Sequence, residues 1–133
     1  MKTYAIRLTK GMDLKNELIN FTKKNDIKAG CILTCVGHLS KAKLRMADAS
    51  TIKNFDCEFE ILSLSGTLCQ DDVHLHICLS DKNGNCVGGH LKEACIIGVT
   101  AEIVLVELDN LSFSRKLDKN TGYDELIVDD LNI

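Results

Sequence analysis

HLHICLSDKNGNCVGGHL, residues 74 to 91, decides how this chain is read, because its two short runs form the arms of one β-hairpin. Over residues 73 to 80, Val73, Leu75, Ile77 and Leu79 occupy one phase and His74, His76, Cys78 and Ser80 the other. That alternation marks a half-buried strand and projects His74 and His76 from the same face. Two registers compete for the return through Asp81-Lys82-Asn83-Gly84-Asn85. A two-residue Asn83-Gly84 turn pairs Ile77 with His90 and sends that imidazole to the apolar side, since a slip of one residue reverses every side chain. A three-residue loop, Lys82-Asn83-Gly84 with Gly84 in the left-handed position, sets Ser80 opposite Cys86, Cys78 opposite Gly88 and His76 opposite His90. The second register is preferred, because it joins a favoured turn to a chemically coherent face.

On that face opposed Cβ atoms lie about 5 Å apart, and His74 stands roughly 7 Å further along the strand. Zinc draws its nitrogen donors to roughly 3.3 Å from one another in a tetrahedral shell, a closure that tilted imidazoles can make from such positions. Three of the four histidines fall on this one predicted face, so His74, His76 and His90 are the candidate ligands of a divalent metal, with zinc the first expectation. Imidazole also suits iron, copper and nickel, so the pattern does not fix the element. The competing reading is a hydrogen-bonded or solvated histidine cluster without metal. Cys78 is a poorer ligand, being about 13 Å from His74 along an unbent strand. Gly88 and Gly89 leave room beside His90 for a ligand or a neighbouring backbone. Three protein ligands leave one position open, as at catalytic rather than structural zinc.

Outward from the hairpin, the pattern is mostly strand. Segments 3 to 9, 30 to 37, 40 to 47, 57 to 68, 96 to 108 and 111 to 117 read as strands, and Asp13 caps a helix through about residue 25, with Leu14, Leu18 and Phe21 on its apolar stripe. The expected fold class is α+β, an antiparallel-rich mixed sheet with few helices. TGYDELIVDDLNI, at residues 121 to 133, reads as one helical turn or an extended arm. The 133 residues, 45% of them hydrophobic, carry no linker, repeat or low-complexity stretch and are read as a single domain, 1 to 133. No run is long and apolar enough for a membrane span, and the first residues lack a secretory core. Seven cysteines without a C-x-x-C pair suit reduced thiols, and a cytoplasmic location is expected. Cys31, Cys35, Cys57 and Cys95 lie in apolar contexts and read mainly as small buried hydrophobes.

Glu102 interrupts Ile96–Leu108, a run apolar in both phases that suits a central strand or one covered by a partner. It reads either as an acid/base group or histidine partner, or as one half of an ion pair with Arg7 or Arg115. Arg115, in phase with Phe113 and Leu117, is a candidate carboxylate-binding group at the rim of an apolar pocket, or an ordinary structural arginine. Glu102 and Arg115 are thus the candidate catalytic residues. His38, beside Gly37 in an apolar turn, reads as structural rather than as a fourth ligand. Sixteen basic residues against nineteen acidic give a net charge of −3, which offers DNA little. One strand face, Lys41, Lys43 and Arg45, could meet phosphates, although a solvated face is the simpler reading. The chain has no proline and therefore no AT-hook.

HLHICLSDKNGNCVGGHL, with Ser65-Gly66-Thr67 before it and Thr100-Ala101-Glu102 and Phe113-Ser114-Arg115 after it, resembles the plants-and-prokaryotes-conserved (PPC) domain. The likeness runs from Arg7-Leu8 and Gly11 through Gly37 to Asp118, Thr121-Gly122 and Leu126, nearly the whole chain. It implies an α+β domain that assembles as a homotrimer. In plants such domains accompany AT-hook segments, so the resemblance carries DNA as a possible partner. The PPC fold is also similar to that of acetolactate decarboxylase, whose H-x-H pair and later histidine would fall on His74, His76 and His90. The resemblance and the histidine face together lead to the expectation of a trimeric metal-binding protein, open to a small carbonyl or carboxylate ligand, with a DNA-associated or regulatory module as the alternative.

Overall fold

The computed structural model describes residues 1–133. Its elements run in the order β1 (Lys2–Thr9), α1 (Leu14–Lys24), β2 (Gly30–Arg45), β3 (Ile52–Phe55), β4 (Phe59–Leu68), β5 (Val73–Ser80), β6 (Cys86–Leu91), β7 (Ile96–Glu107), β8 (Leu111–Leu117) and β9 (Asp124–Asp130). A seven-stranded sheet runs β1-β7-β2-β4-β5-β6, with β3 added to β2, and every strand pairing is antiparallel. The far strand β6 returns to pair with the end of β2, through Leu44 opposite Leu91 and Arg45 opposite His90. β2, β4, β5 and β6 thus form a closed circuit. β8 and β9 make a separate two-stranded ribbon.

The expected α+β, antiparallel-rich architecture with one helix is what the chain adopts. The segments 30 to 37 and 40 to 47, read as two strands around a Gly37 turn, are one strand of 16 residues. Gly37 does not turn the chain. It lets β7 come close, since a Cβ there would run into the Thr100 carbonyl and Ala101 Cα. Register shifts occur at Gly37/Leu39 and Leu39/Lys41, and such bulges bend a strand. The bend carries the last residues of β2 away from β7 to β3 and β6. β3 has too few residues for its periodicity to show in the sequence. The C-terminal segment is an extended arm, β9, which pairs with β8.

One face of the sheet is covered by α1 and holds the core. On β5, Val73, Leu75, Ile77 and Leu79 are each at most 3% exposed, while His74 and His76 point the other way into solvent. At about 25 cal/mol per Å2 of apolar surface, this inward set resists a register slip that would exchange it with the histidines. The helix starts where Asp13 Oδ1 accepts the Asn16 N–H at 3.1 Å, and its Leu14 and Leu18 are fully buried. Asp13 Oδ2 also accepts the Ala94 N–H at 2.7 Å, pinning the β6–β7 connection to the helix start. Asp13→Ala removes both bonds and is expected to cost about 2 kcal/mol, the upper end for a lost cap. Urea denaturation checks this, and Asp13→Asn, whose amide has a single acceptor oxygen, should recover one of the two bonds and about half of the loss.

Candidate metal centre

Three imidazoles converge on the solvent face of the β4–β5–β6 ribbon. β5 and β6 pair Ser80 with Cys86, Cys78 with Gly88 and His76 with His90, the register of the three-residue loop. Gly84 sits at φ +81° and donates its N–H to Asp81 O at 3.0 Å, and the Asp81 N–H donates to Asn85 O at 2.9 Å, closing the turn. Asp81 Oδ1 accepts the N–H groups of Asn83 and Asn85 as well, so the loop is held by its own first residue. His74 lies opposite Thr67, and His76 opposite Ser65.

Ring centroids are 5.0 Å apart for His74 and His76, 5.3 Å for His74 and His90, and 5.7 Å for His76 and His90. One nitrogen from each ring can be chosen so that all three lie within 4.8 Å of one another. Zinc would draw them about 1.5 Å closer, which rotation about the side-chain torsions of partly exposed rings can supply. His90 Nδ1 is buried and meets no hydrogen-bond partner. An orphaned imidazole nitrogen beside two other imidazoles fits a metal ligand, and the donor set fits zinc.

Burial and neighbouring cations favour the neutral form of His74 and His90. Burial lowers the His90 pKa from 6.5 to about 4, with Arg45, His74, Lys15 and His76 adding repulsion. Burial also lowers His74, helped by His76, Arg115 and Arg45 and opposed by Glu125. Neutral imidazole is the metal-binding form. In the metal-free chain the unfolded state therefore binds more protons than the folded state between pH 6.5 and about 4. Stability is full above that window and falls as pH drops through it. Urea midpoints taken from pH 7 to pH 4 should decline, and His90→Gln should flatten the decline.

Arg115 is brought to the edge of the trio. Its Nη2 donates to Thr67 Oγ1 at 3.2 Å, next to His74, and its backbone N–H donates to Asp71 Oδ2 at 2.9 Å. Glu102 is not brought there. It is exposed on β7 between Arg7 and Val36, and the Arg7 Nε donates to Thr100 Oγ1 at 2.9 Å rather than to Glu102. A run apolar in both phases hid the fact that this carboxylate stays in water. His38 stands apart, packed on Gly98 with its Nε2 3.7 Å from Glu58. Gly88 and Gly89 make room for backbone rather than for a ligand, since their added Cβ atoms would lie 2.8 Å from the Ile77 and Arg45 carbonyl oxygens.

Two cavities flank the trio, of about 730 and 480 Å3, and both are walled by His74, His90, Arg45 and Ala49. Lys15, Lys92 and Arg115 reach the larger one, with Tyr123, Asp124 and Glu125 from the β8–β9 ribbon. Sequence reading missed Arg45, Lys15 and Lys92. Arg45 keeps the strand phase of Lys41 and Lys43, with Ala42 and Leu44 buried between them, and the end of β2 also sets it opposite His90. The signal for Arg45 lies in a pairing between residues 45 apart in the chain, which no local periodicity reveals.

Residues 1–109 match the Plants and Prokaryotes Conserved (PCC) domain. The chain is 45% identical over 129 residues, 97% of its length, to the Bifunctional protein GlmU of a Synechococcus strain, and it spans about a fifth (21%) of that relative. A hypothetical protein from Salmonella has a solved structure that superimposes with a TM-score of 0.94 at 36% identity, over 97% of this chain and 94% of that one. A metal-containing protein from Archaeoglobus fulgidus superimposes with a TM-score of 0.82 at 27% identity, over 96% and 94%. Other solved structures of the fold are described as candidate DNA-binding proteins, at identities of 22% and 16% that show the fold alone. No helix is long and apolar enough to cross a membrane.

Proposed function

This chain belongs to the Plants and Prokaryotes Conserved domain family, and from that premise we propose that it is a metal-binding protein of the family in which His74, His76 and His90 hold one divalent ion, zinc first. The observation that carries this reading is the convergence of three imidazole nitrogens within 4.8 Å of one another on a single hairpin. The description of the Archaeoglobus fulgidus relative as metal-containing supports it. So does the likeness of the H-x-H pair and later histidine to the ligands of acetolactate decarboxylase.

Three protein ligands suit a catalytic rather than a structural ion. Such an ion acidifies bound water or polarises a carbonyl. The function proposed is therefore metal-assisted chemistry on a small carbonyl or carboxylate compound in the flanking cavity. Arg115, held by Thr67 and Asp71, would orient the substrate from the ribbon side. Glu102 does not reach the trio within one chain, so a part in proton transfer would need an apposed copy. A homotrimer is proposed with this. Its support is the exposure of Leu33, Val36, Leu62 and Val99, all more than half exposed on the central strands β2, β4 and β7. Seven free cysteines suit a reducing compartment such as the cytoplasm.

Elemental analysis of protein purified without an affinity tag tests the ligand set. About one ion per chain is expected in the wild type, and His74→Ala and His90→Ala should each lose most of it. Full metal content in both variants would reject the assignment and favour a regulatory or DNA-associated module.

A further inference from the structure

Of the three buried side-chain nitrogens that meet no hydrogen-bond partner, two belong to residues facing each other across β2 and β6: Arg45 Nε and His90 Nδ1. A buried polar group left unsatisfied costs about 1 to 3 kcal/mol, and more when it is charged. Two of them on one paired position mark a place where a polar partner belongs. A metal ion answers for His90. It cannot answer for Arg45, whose guanidinium is a donor with no lone pair to give. Arg45 needs an acceptor, and a charged one.

The surroundings agree. Arg45 walls both cavities beside the trio, and Lys15 from α1 and Lys92 after β6 line the larger one with it. None of these three cations makes an ion pair, the pairs in the chain being Met1 with Asp109 and His38 with Glu58. Two of the cavity's carboxylates are already engaged by backbone, Asp71 by the Arg115 N–H and Asp72 by the Val73 N–H. Asp124 and Glu125 line the same cavity, but none of its four carboxylates lies within 4.0 Å of Arg45, Lys15 or Lys92, so these cations are left without a direct charged acceptor.

We propose that Arg45, with Lys15 and Lys92, forms the anion-binding side of the histidine site and takes the carboxylate of a small 2-hydroxy or 2-oxo acid. The guanidinium offers two parallel N–H groups in the geometry of a carboxylate. Residues paired across neighbouring strands have Cβ atoms about 5 Å apart, which matches an acid whose second oxygen is on the adjacent carbon and reaches the trio. That second contact rests on the metal reading of the site, and the first does not. Phosphate shares the acceptor chemistry, so both anions belong in the test.

Calorimetric titration of the full chain with glycolate and with inorganic phosphate, each with and without zinc, decides the matter. Glycolate is expected to bind the zinc-loaded wild type, and Arg45→Gln to weaken it at least tenfold. Lys92→Gln should weaken it about threefold. Zinc affinity of Arg45→Gln should stay the same or tighten, because a cation beside His90 is gone. In the metal-free chain glycolate should bind more weakly with the same dependence on Arg45. Glycolate affinity unchanged by Arg45→Gln, or no glycolate binding in any form, overturns the proposal. Tighter binding of phosphate than glycolate overturns the carboxylate assignment. Arg45-dependent glycolate binding in a chain that takes up no zinc upholds the anion site while the metal reading fails. Should Arg45→Gln not fold, by circular dichroism, Lys15→Gln and Lys92→Gln carry the same comparison.

Discussion

If the trio holds zinc as proposed, zinc added at about a hundred times its dissociation constant is expected to stabilise the chain by about 2.7 kcal/mol, the mass-action gain of a ligand that binds only the folded state. For a domain of this size that corresponds to a rise in melting temperature of roughly 10 °C. The gain depends on His74, His76 and His90 being held together by the fold, since the unfolded chain has no preformed site. His76→Ala removes the central imidazole of the trio, which is flanked by Ser65 on β4 and His90 on β6. At the same zinc concentration the rise should almost vanish, while the melting temperature without zinc changes little, because His76 is exposed and outside the core. Differential scanning calorimetry of both proteins with and without zinc reads this directly. A zinc-induced rise that survives His76→Ala would mean that the ion binds elsewhere.

Gly66→Ala will have the largest effect on folding, a loss of about 3 to 5 kcal/mol drawn from backbone strain and overpacking together. Gly66 has φ +148°, a conformation that residues with a Cβ rarely adopt, and it lies opposite Leu75 in the β4–β5 ladder. A Cβ there would run into the His74 carbonyl group. To relieve that contact β5 must move away from β4 at the residue that carries the first imidazole. The variant should therefore unfold at markedly lower urea and, where still folded, bind zinc more weakly than the wild type. Wild-type values for both would show that the strands can separate without cost. With total stabilities of about 5 to 15 kcal/mol typical for domains, the loss is large enough to read without ambiguity.

Local physics was legible in the sequence, and long-range physics was not. The β5–β6 hairpin could be read to the residue, because strand alternation, turn chemistry and the need to keep Val73, Leu75, Ile77 and Leu79 inside are all local. The histidine trio came with it. The helix was legible from Asp13 and its apolar stripe. Gly37 was misread as a turn because a glycine needed for close approach to β7 looks the same in sequence as one needed for a bend. The place of Arg45 beside the trio was not legible, because its neighbour across the ladder, His90, is set by the curvature of β2 and not by any nearby residue. Glu102 was weighed as a costly carboxylate because apolar neighbours in sequence do not imply burial; its side lies open beside Arg7.

The circuit of β2, β4, β5 and β6 has a consequence for association. A strand with both flanks hydrogen-bonded offers no template for another chain, whereas an open flank invites one. His76 sits on a strand paired on both sides, and the strand carrying His90 is paired to β5 along its length and to β2 at its end. Strand addition is thereby kept from β5 and from the His90 end of β6, and only the flank of Cys86–Gly89 is left open on the hairpin. In the main sheet β1 is left with an unpaired flank, and Lys2 and Arg7 give it the like charges that discourage self-templating.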